Sequence, residues 1–187
     1  MLRQAFHEFT LTTRGRGLYE FTDEVTAWLA KNNFQNGLLT LHLRHTSASL
    51  LIQENADPDV RRDLDAFFER LVPDGDPLFV HMMEGDDDMP AHIRTALTTV
   101  NLGIPFHDGR LALGTWQGIY VWEHRRVPHT RKVAAHFIGE YTRQTPPSLA
   151  FFATVFHYEN MHPMVSFRGG DYGGSLQLES SRAGRRH

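Results

Sequence analysis

At 187 residues, with 41% hydrophobic and 22% charged residues, the chain has the size and composition of one ordinary globular domain. Its formal charge of −3 gives no support to nucleic-acid binding, which needs a concentrated basic face, and the absence of cysteine excludes disulfides and thiolate metal sites. The first residues lack a signal-like apolar run and no stretch approaches the ~18 apolar residues of a membrane span. The chain therefore reads as soluble and cytoplasmic, with neither nucleic acid nor membrane as a partner.

Residues Ala5 to Thr12 alternate loosely and predict a first strand. Phe21, Val25, Trp28 and Leu29 fall at helical spacing, with Thr22-Asp23-Glu24 as cap and acidic first turn. Leu39, Leu41 and Leu43 alternate with Thr40 and His42, a strand running into His45. Leu50-Leu51-Ile52 forms a second apolar strand that delivers Glu54 and Asn55 at its end. Asp57-Pro58 then opens the clearest helix: Asp57 caps it, Pro58 suits its first position, and Val60, Leu64, Phe67, Phe68 and Leu71 form one apolar stripe before Pro73. A shorter helix begins near Asp88-Met89-Pro90-Ala91 and carries Ile93, Leu97 and Val100 inward. Ile104 to Phe106, His107-Asp108-Gly109 and Arg110 to Leu113 read as a hairpin, because Asp-Gly tolerates the positive φ of a tight turn. Gly118 to Trp122 and Lys132 to Ile138 supply two further strands. The expected class is α+β, mostly antiparallel, with two to three helices in the first half. A domain over residues 1–140 is followed by an extension, 141–187, with Pro146-Pro147, an apolar run from Leu149 to Phe156 and a Gly/Ser/Arg-rich ending. It reads either as docked through Phe151, Phe152, Val155 and Phe156 or as disordered.

The stretch from His81 to Ile93 gathers two histidines and four carboxylates, Glu84, Asp86, Asp87 and Asp88. Imidazole nitrogens suit zinc and related metals; clustered carboxylates suit magnesium or the mouth of a charged site. His81 and His92 converge if His81 ends a strand and His92 lies in the first turn of the next helix, whose start Pro90 pins. A tight zinc-like site with an open position needs a third imidazole, and His45 is the best candidate, leaving a strand into the small polar run Thr46-Ser47-Ala48-Ser49. With twelve histidines in the chain, the ordinary role of any one is structural. Asp86-Asp87-Asp88 reads equally as a solvated loop with a helix cap or as a magnesium site. Glycines at 114 and 118 flank Thr115, Trp116 and Gln117, a pattern of close backbone approach or a bulge, with Trp116 read as core.

The motifs His45-Thr46-Ser47-Ala48-Ser49-Leu50, Glu54-Asn55-Ala56-Asp57-Pro58, His81…Ala91-His92-Ile93 and Leu113-Gly114-Thr115-Trp116-Gln117-Gly118-Ile119 resemble, in order and approximate spacing, those of the YjbQ-type family, the secondary thiamine-phosphate synthase family. The resemblance spans about residues 1–140. It implies a small α+β fold assembled as homotrimers, with a metal held by histidines in a cleft near the subunit boundary. Residue by residue it implies metal roles for His45, His81 and His92, and polar-site roles for Glu54, Asn55, Asp57, Thr115, Gln117 and Glu123. Two departures stand out. Gln53 occupies a position where many members have Asn. After Glu123, where many relatives run through Asp-Gly-Pro-Arg, this chain has His124-Arg125-Arg126-Val127-Pro128-His129-Thr130-Arg131, so Arg125 or Arg131 takes the place of the usual arginine.

The implied reaction couples hydroxymethylpyrimidine diphosphate to thiazole phosphate, releasing pyrophosphate. On that expectation a divalent metal, zinc at the histidines, is the cofactor. Magnesium accompanies the diphosphate, helped by Asp86, Asp88 or Glu54, and Arg125 or Arg131 binds the phosphate oxygens of a small phosphorylated metabolite. A three-histidine zinc site suits hydrolysis better than diphosphate departure. The alternatives are therefore a metal-dependent hydrolase of a small phosphorylated or amide substrate, or a trimeric small-anion binding module.

Overall fold

The computed structural model describes residues 2–141, so the extension expected beyond them lies outside the described residues. Eleven elements follow in order: β1 (Leu2–Thr12), β2 (Gly17–Glu20), α1 (Thr22–Lys31), β3 (Phe34–Leu43), β4 (Ala48–Glu54), α2 (Pro58–Leu71), α3 (Asp88–Leu97), β5 (Asn101–His107), β6 (Arg110–Leu111), β7 (Gln117–Glu123) and β8 (Thr130–Tyr141). They make two antiparallel sheets, β1-β8-β3-β5-β6 and β2-β7-β4. The expected α+β class, with its helices in the first half, holds among the described residues.

Both sheets feed one core. From the larger come Leu39, Leu41 and Leu43 of β3 and Val133, Ala135 and Phe137 of β8; from the smaller come Leu50 of β4 and Ile119 and Val121 of β7; α1 adds Val25 and Leu29. Period-2 alternation explains the selection, since residues i, i+2 and i+4 of a strand share a face. Strand β7 is unusual in being buried from Gly118 to Glu123. Its odd-numbered residues join the core, whereas Trp122 lies against α2, with Phe68 at 4.7 Å between ring centroids and the indole N–H donating to Asp65.

Several local expectations are corrected. Thr22 is the first residue inside α1 and not its cap; its hydroxyl donates to Glu20 and accepts from the Ile119 N–H, locking the helix start to β7. Asp57 does cap α2, accepting from the Asp59 N–H at 2.8 Å. The stripe on that helix divides, however: Phe68 packs inward while Phe67 and Leu71 are exposed. On α3 the buried positions are Asp88, Pro90, Ala91 and Arg94, and Leu97 is exposed. A periodicity count assigns burial to the apolar residues, but here the helix turns a charged side chain inward because Val72 O and Asp74 wait to receive the Arg94 guanidinium. The Asp108-Gly109 turn of the β5–β6 hairpin has positive φ at both residues, 48° and 75°, as a type I′ connection requires.

Candidate metal centre

Residues between α2 and α3 form no strand, contrary to the expectation for His81. Gly75 and Gly85 take positive φ, and the segment is pinned by Gly75 N–H to Asp86 O, Gly85 N–H to Met82 O, and Arg125 Nη2 to Glu84 O. The loop nevertheless delivers His81 to the start of α3. There His81 Nε2 donates to Asp88 Oδ2 at 2.8 Å, a proton that metal binding would release, and His92 Nε2 lies 3.5 Å from the same oxygen. The i,i+4 spacing of Asp88 and His92 puts them on one face of α3.

His81, Asp88 and His92 thus present two imidazole nitrogens and one carboxylate oxygen all within 4.8 Å of one another. The surroundings fit a metal. His92 Nδ1 sits 2.8 Å from the Thr46 carbonyl, so that nitrogen carries the proton and Nε2 is left with its lone pair, the arrangement of metal-binding histidines. Asp88 is 2% exposed, and its other oxygen receives Arg125 Nη1, which fixes the carboxylate's orientation. Two histidines and one carboxylate form a donor set for zinc or a related divalent ion, with positions open for substrate or water.

His45 stands apart from this group. Its Nε2 accepts the Lys132 backbone N–H at 2.8 Å, a bond that uses the lone pair a metal would need. Burial, with the nearby Arg131 charge adding to it, pulls the His45 pKa below its ordinary 6.5 and favours the neutral ring. His45 and His92 do share one cavity of about 770 Å³, together with His42, Arg44, Ala96 and Val100.

The acidic run is already neutralised. Asp86 pairs with Arg126; Asp87 Oδ2 accepts the Arg126 N–H at 2.7 Å and Arg125 Nε at 3.3 Å. Asp87 occupies the capping position of α3 yet makes no side-chain cap bond. Burial alone would raise its pKa, but those donors outweigh burial and hold the carboxyl below its usual 3.8. Arg125 is 6% exposed and faces Asp87 and Asp88 rather than solvent. Arg131 is likewise buried, its Nε and Nη2 both on Glu123. Glu123, with no exposed surface, also accepts from Thr13 Oγ1 at 2.9 Å and from the Arg125 N–H at 3.0 Å.

The remaining expected site residues lie elsewhere. Ala48 of β4 pairs with Glu123 and Glu54 pairs with Gln117, so six residues of ladder separate the two ends, about 20 Å at ~3.3 Å per residue. Glu54, Asn55, Asp57, Thr115 and Gln117 gather at the far end. Gln117 closes its own loop there, its Oε1 accepting the Gly114 N–H at 2.8 Å, and Asn55 N–H donates to Trp116 O. Trp116, expected in the core, is 63% exposed because the 114–117 turn carries it past the end of the sheet. Within one subunit the structure does not bring this cluster to the histidines.

Sequence reasoning also passed over Ser49 and His124, both buried, with Ser49 Oγ 2.9 Å from His124 Nε2. A histidine beside two arginines had no pattern to mark it. Burial, reinforced by Arg94, Arg16 and Arg131, lowers the His124 pKa from 6.5 to about 3. The folded ring stays neutral over that interval while the unfolded one takes a proton. Stability is therefore complete above pH 6.5 and falls as pH drops toward 3, by up to about 1.4 kcal/mol per pH unit. His124→Gln is expected to flatten the dependence between pH 6.5 and 5, measured by urea denaturation; an unchanged slope would refute the assignment.

The comparisons agree with this architecture. A family model described as UPF0047 protein YjbQ-like matches residues 7–140. A UPF0047 protein of Synechocystis sp. is 50% identical over 138 residues, covering 74% of this chain and 94% of that protein. The UPF0047 protein YjbQ of Escherichia coli O157:H7 is 46% identical over 132 residues, covering 70% and 95%. A crystal structure of a YjbQ/UPF0047 family protein from Clostridium acetobutylicum superposes with a TM-score of 0.63 at 33% identity, over 69% of this chain and 97% of that one. No helix among the described residues is long and apolar enough to cross a membrane. With the family model covering β1 to β8 and the same fold in a solved relative, the chain belongs to the UPF0047 YjbQ-like family.

Proposed function

We propose that the chain is a metal-dependent enzyme that acts on a small phosphorylated metabolite, with His81, Asp88 and His92 holding a divalent ion. The convergence of these three donors, with His92 held in the ligating tautomer by Thr46 O, is the observation that carries the proposal. When bound, the ion would supply Lewis acidity toward an anionic oxygen. The chain's own groups do the rest: Arg125 orients Asp88, the Thr46 carbonyl orients His92, and Arg44 brings positive charge to the adjoining cavity.

Hydrolysis of a phosphate ester is the reading that the geometry favours. Coupling of a pyrimidine diphosphate to a thiazole phosphate, the reaction of a secondary thiamine-phosphate synthase, needs cations for a departing diphosphate. Arg125 and Arg131 are buried against Asp87, Asp88 and Glu123, so neither offers free charge within the subunit. The synthase is kept as the second reading because the four ordered sequence motifs favour it; magnesium would arrive with its diphosphate substrate. Self-association into the trimer proposed for this family is supported by apolar residues exposed on the outer face of the larger sheet, Leu2, Phe6, Leu38 and Ile138, neighbours across β1, β8 and β3.

The deciding experiment assays zinc-loaded protein, whose mass is fixed by light scattering, with the two thiamine precursors and with a panel of phosphate monoesters. Metal-dependent phosphate release from the esters supports the hydrolase. Pyrophosphate release from the precursors supports the synthase instead, and binding without turnover on either panel overturns both. A monomeric mass at micromolar concentration would rule out the trimer.

A further inference from the structure

The cavity beside His92 is bounded by the end of β3, by Thr46, by α3 through Thr95 and Ala96, and by Val100 and Ala134. At about 770 Å³ it has the size of a small-molecule site, since such sites run from roughly 300 to 1,000 Å³. Its wall is mixed: Ala96, Val100 and Ala134 are apolar, while Arg44, His45 and His42 bring nitrogen donors. Arg44 gives one guanidinium nitrogen to Glu8, and the guanidinium has five N–H groups in all, which leaves donors for an anion.

His45 has a defined polarity. A neutral imidazole carries one proton, on one nitrogen or the other. Because Nε2 accepts the Lys132 backbone N–H, the proton must sit on Nδ1. Among the described residues Nδ1 has no hydrogen-bond partner. His92, on the same cavity, has the opposite arrangement: Nδ1–H is used on Thr46 O and Nε2 is directed toward Asp88 and His81. The two rings are thus prepared for different roles, one to give its lone pair and the other to give a proton in a hydrogen bond.

We propose that this cavity is the substrate pocket, that its ligand is a phosphate ester with an apolar body, and that His45 donates a hydrogen bond from Nδ1 to a phosphate oxygen rather than ligating the metal. The proposal rests on the metal-dependent reading of the neighbouring His81–Asp88–His92 group and deepens it by naming the ligand class and the residue that binds it. His45 meets the oxygen as a neutral donor. Arg44 and Lys132 share the single carboxylate of Glu8, which leaves that trio net positive as the countercharge, and Ala96, Val100 and Ala134 receive the organic body.

The test uses phenyl phosphate as the probe, titrated into the full chain by calorimetry after chelator treatment, with wild type, His45→Asn and His45→Leu compared. Asn and Leu are close in shape, and both remove the acceptor for the Lys132 N–H, so a merely structural role weakens binding in both alike. Asn keeps a donor near the Nδ1 position. The expected result is binding by wild type, retention within about threefold by Asn, and about tenfold loss by Leu, the scale of one hydrogen bond to a charged group. Zinc content, measured separately, stays equal in all three proteins. Equal loss in Asn and Leu, no binding by wild type, or loss of zinc from either variant overturns the proposal. If instead no protein takes up zinc while the order of phenyl phosphate affinities holds, the metal reading fails and the pocket assignment stands. Imidazole 15N shifts of the wild type give a check independent of any variant's folding. A protonated Nδ1 at His45 supports the assignment, and a protonated Nε2 with bare Nδ1 overturns it.

Discussion

Arg131→Met is expected to destabilise the folded chain by about 3–5 kcal/mol, the cost of leaving a buried charge without its partner. Glu123 is fully buried and Arg131 is 3% exposed, so water cannot replace the lost guanidinium. The methionine preserves much of the side chain's volume while removing both donors to the carboxylate. Arg131→Lys rescues only partly, because an ammonium cannot make the two parallel bonds of the guanidinium fork. The double variant Glu123→Gln/Arg131→Met regains most of the loss, since its buried groups are uncharged. Urea denaturation at pH 7 measures all three, and a loss below about 1 kcal/mol in the single variant would contradict the geometry.

The same pair has a signature in acid. Burial by itself would raise the Glu123 pKa, but the Arg131 hydrogen bonds and the Arg125 N–H overcome it and hold the carboxyl below its ordinary 4.5. A carboxyl lowered in the folded state contributes stability that is fully present above pH 4.5 and is lost as pH falls through the folded pKa. The double variant lacks this part of the acid transition. His124 acts alone between pH 6.5 and 4.5, and both groups contribute below that, so the upper limb reports His124 by itself.

Why Glu123 and Arg131 were legible as residues but not as a pair follows from the strands that carry them. Alternation along β8 places Arg131 on the same face as Val133, Ala135 and Phe137, and alternation along β7 places Glu123 with Ile119 and Val121. Each charge therefore points into the core, where the two neutralise each other through the paired bonds from Arg131 Nε and Nη2 to Glu123. Sequence pattern locates both strands but not their facing, because β7 is buried on both sides and loses the polar alternation that would mark an outward face. The resemblance to a family whose members use an arginine after this strand invited a phosphate-binding role; burial gives these arginines carboxylate partners instead.

The metal group was legible for the opposite reason. His92 lies on a regular helix whose start Pro90 marks, and i,i+4 geometry on α3 is fixed once the helix is placed. What could not be read was the third ligand. Asp88 looked like one of three interchangeable aspartates, yet the fold separates them. Asp86 pairs with Arg126, Asp87 receives both arginines, and Asp88 turns toward the imidazoles. His45 was drawn to the metal by chemistry and motif order. Only the hydrogen bond from Lys132, on β8 and far away in sequence, shows how its ring is committed.

His81→Ala isolates the metal from the fold. The His81 side chain is 48% exposed and sits on an irregular loop, so its removal opens no cavity in the core. Metal-free wild type and variant are expected to unfold within about 0.5 kcal/mol of each other, as surface substitutions do. Zinc separates them. An ion that binds only the folded state at a hundredfold excess over its Kd adds about 2.7 kcal/mol of stability to the wild type. With one of three ligands gone, affinity falls by at least about 100-fold, more than the tenfold to hundredfold typical of disturbing a residue that merely supports a ligand. At the same zinc concentration the variant then gains no more than about 0.4 kcal/mol. Asp88→Asn behaves differently, losing metal-free stability as well, because the buried Arg125 loses the nearest of its three carboxylate partners, Asp88, and keeps only Asp87 and the exposed Glu84. Thermal unfolding with and without zinc distinguishes the cases, and a zinc-induced gain that survives His81→Ala would place the ion elsewhere in the chain.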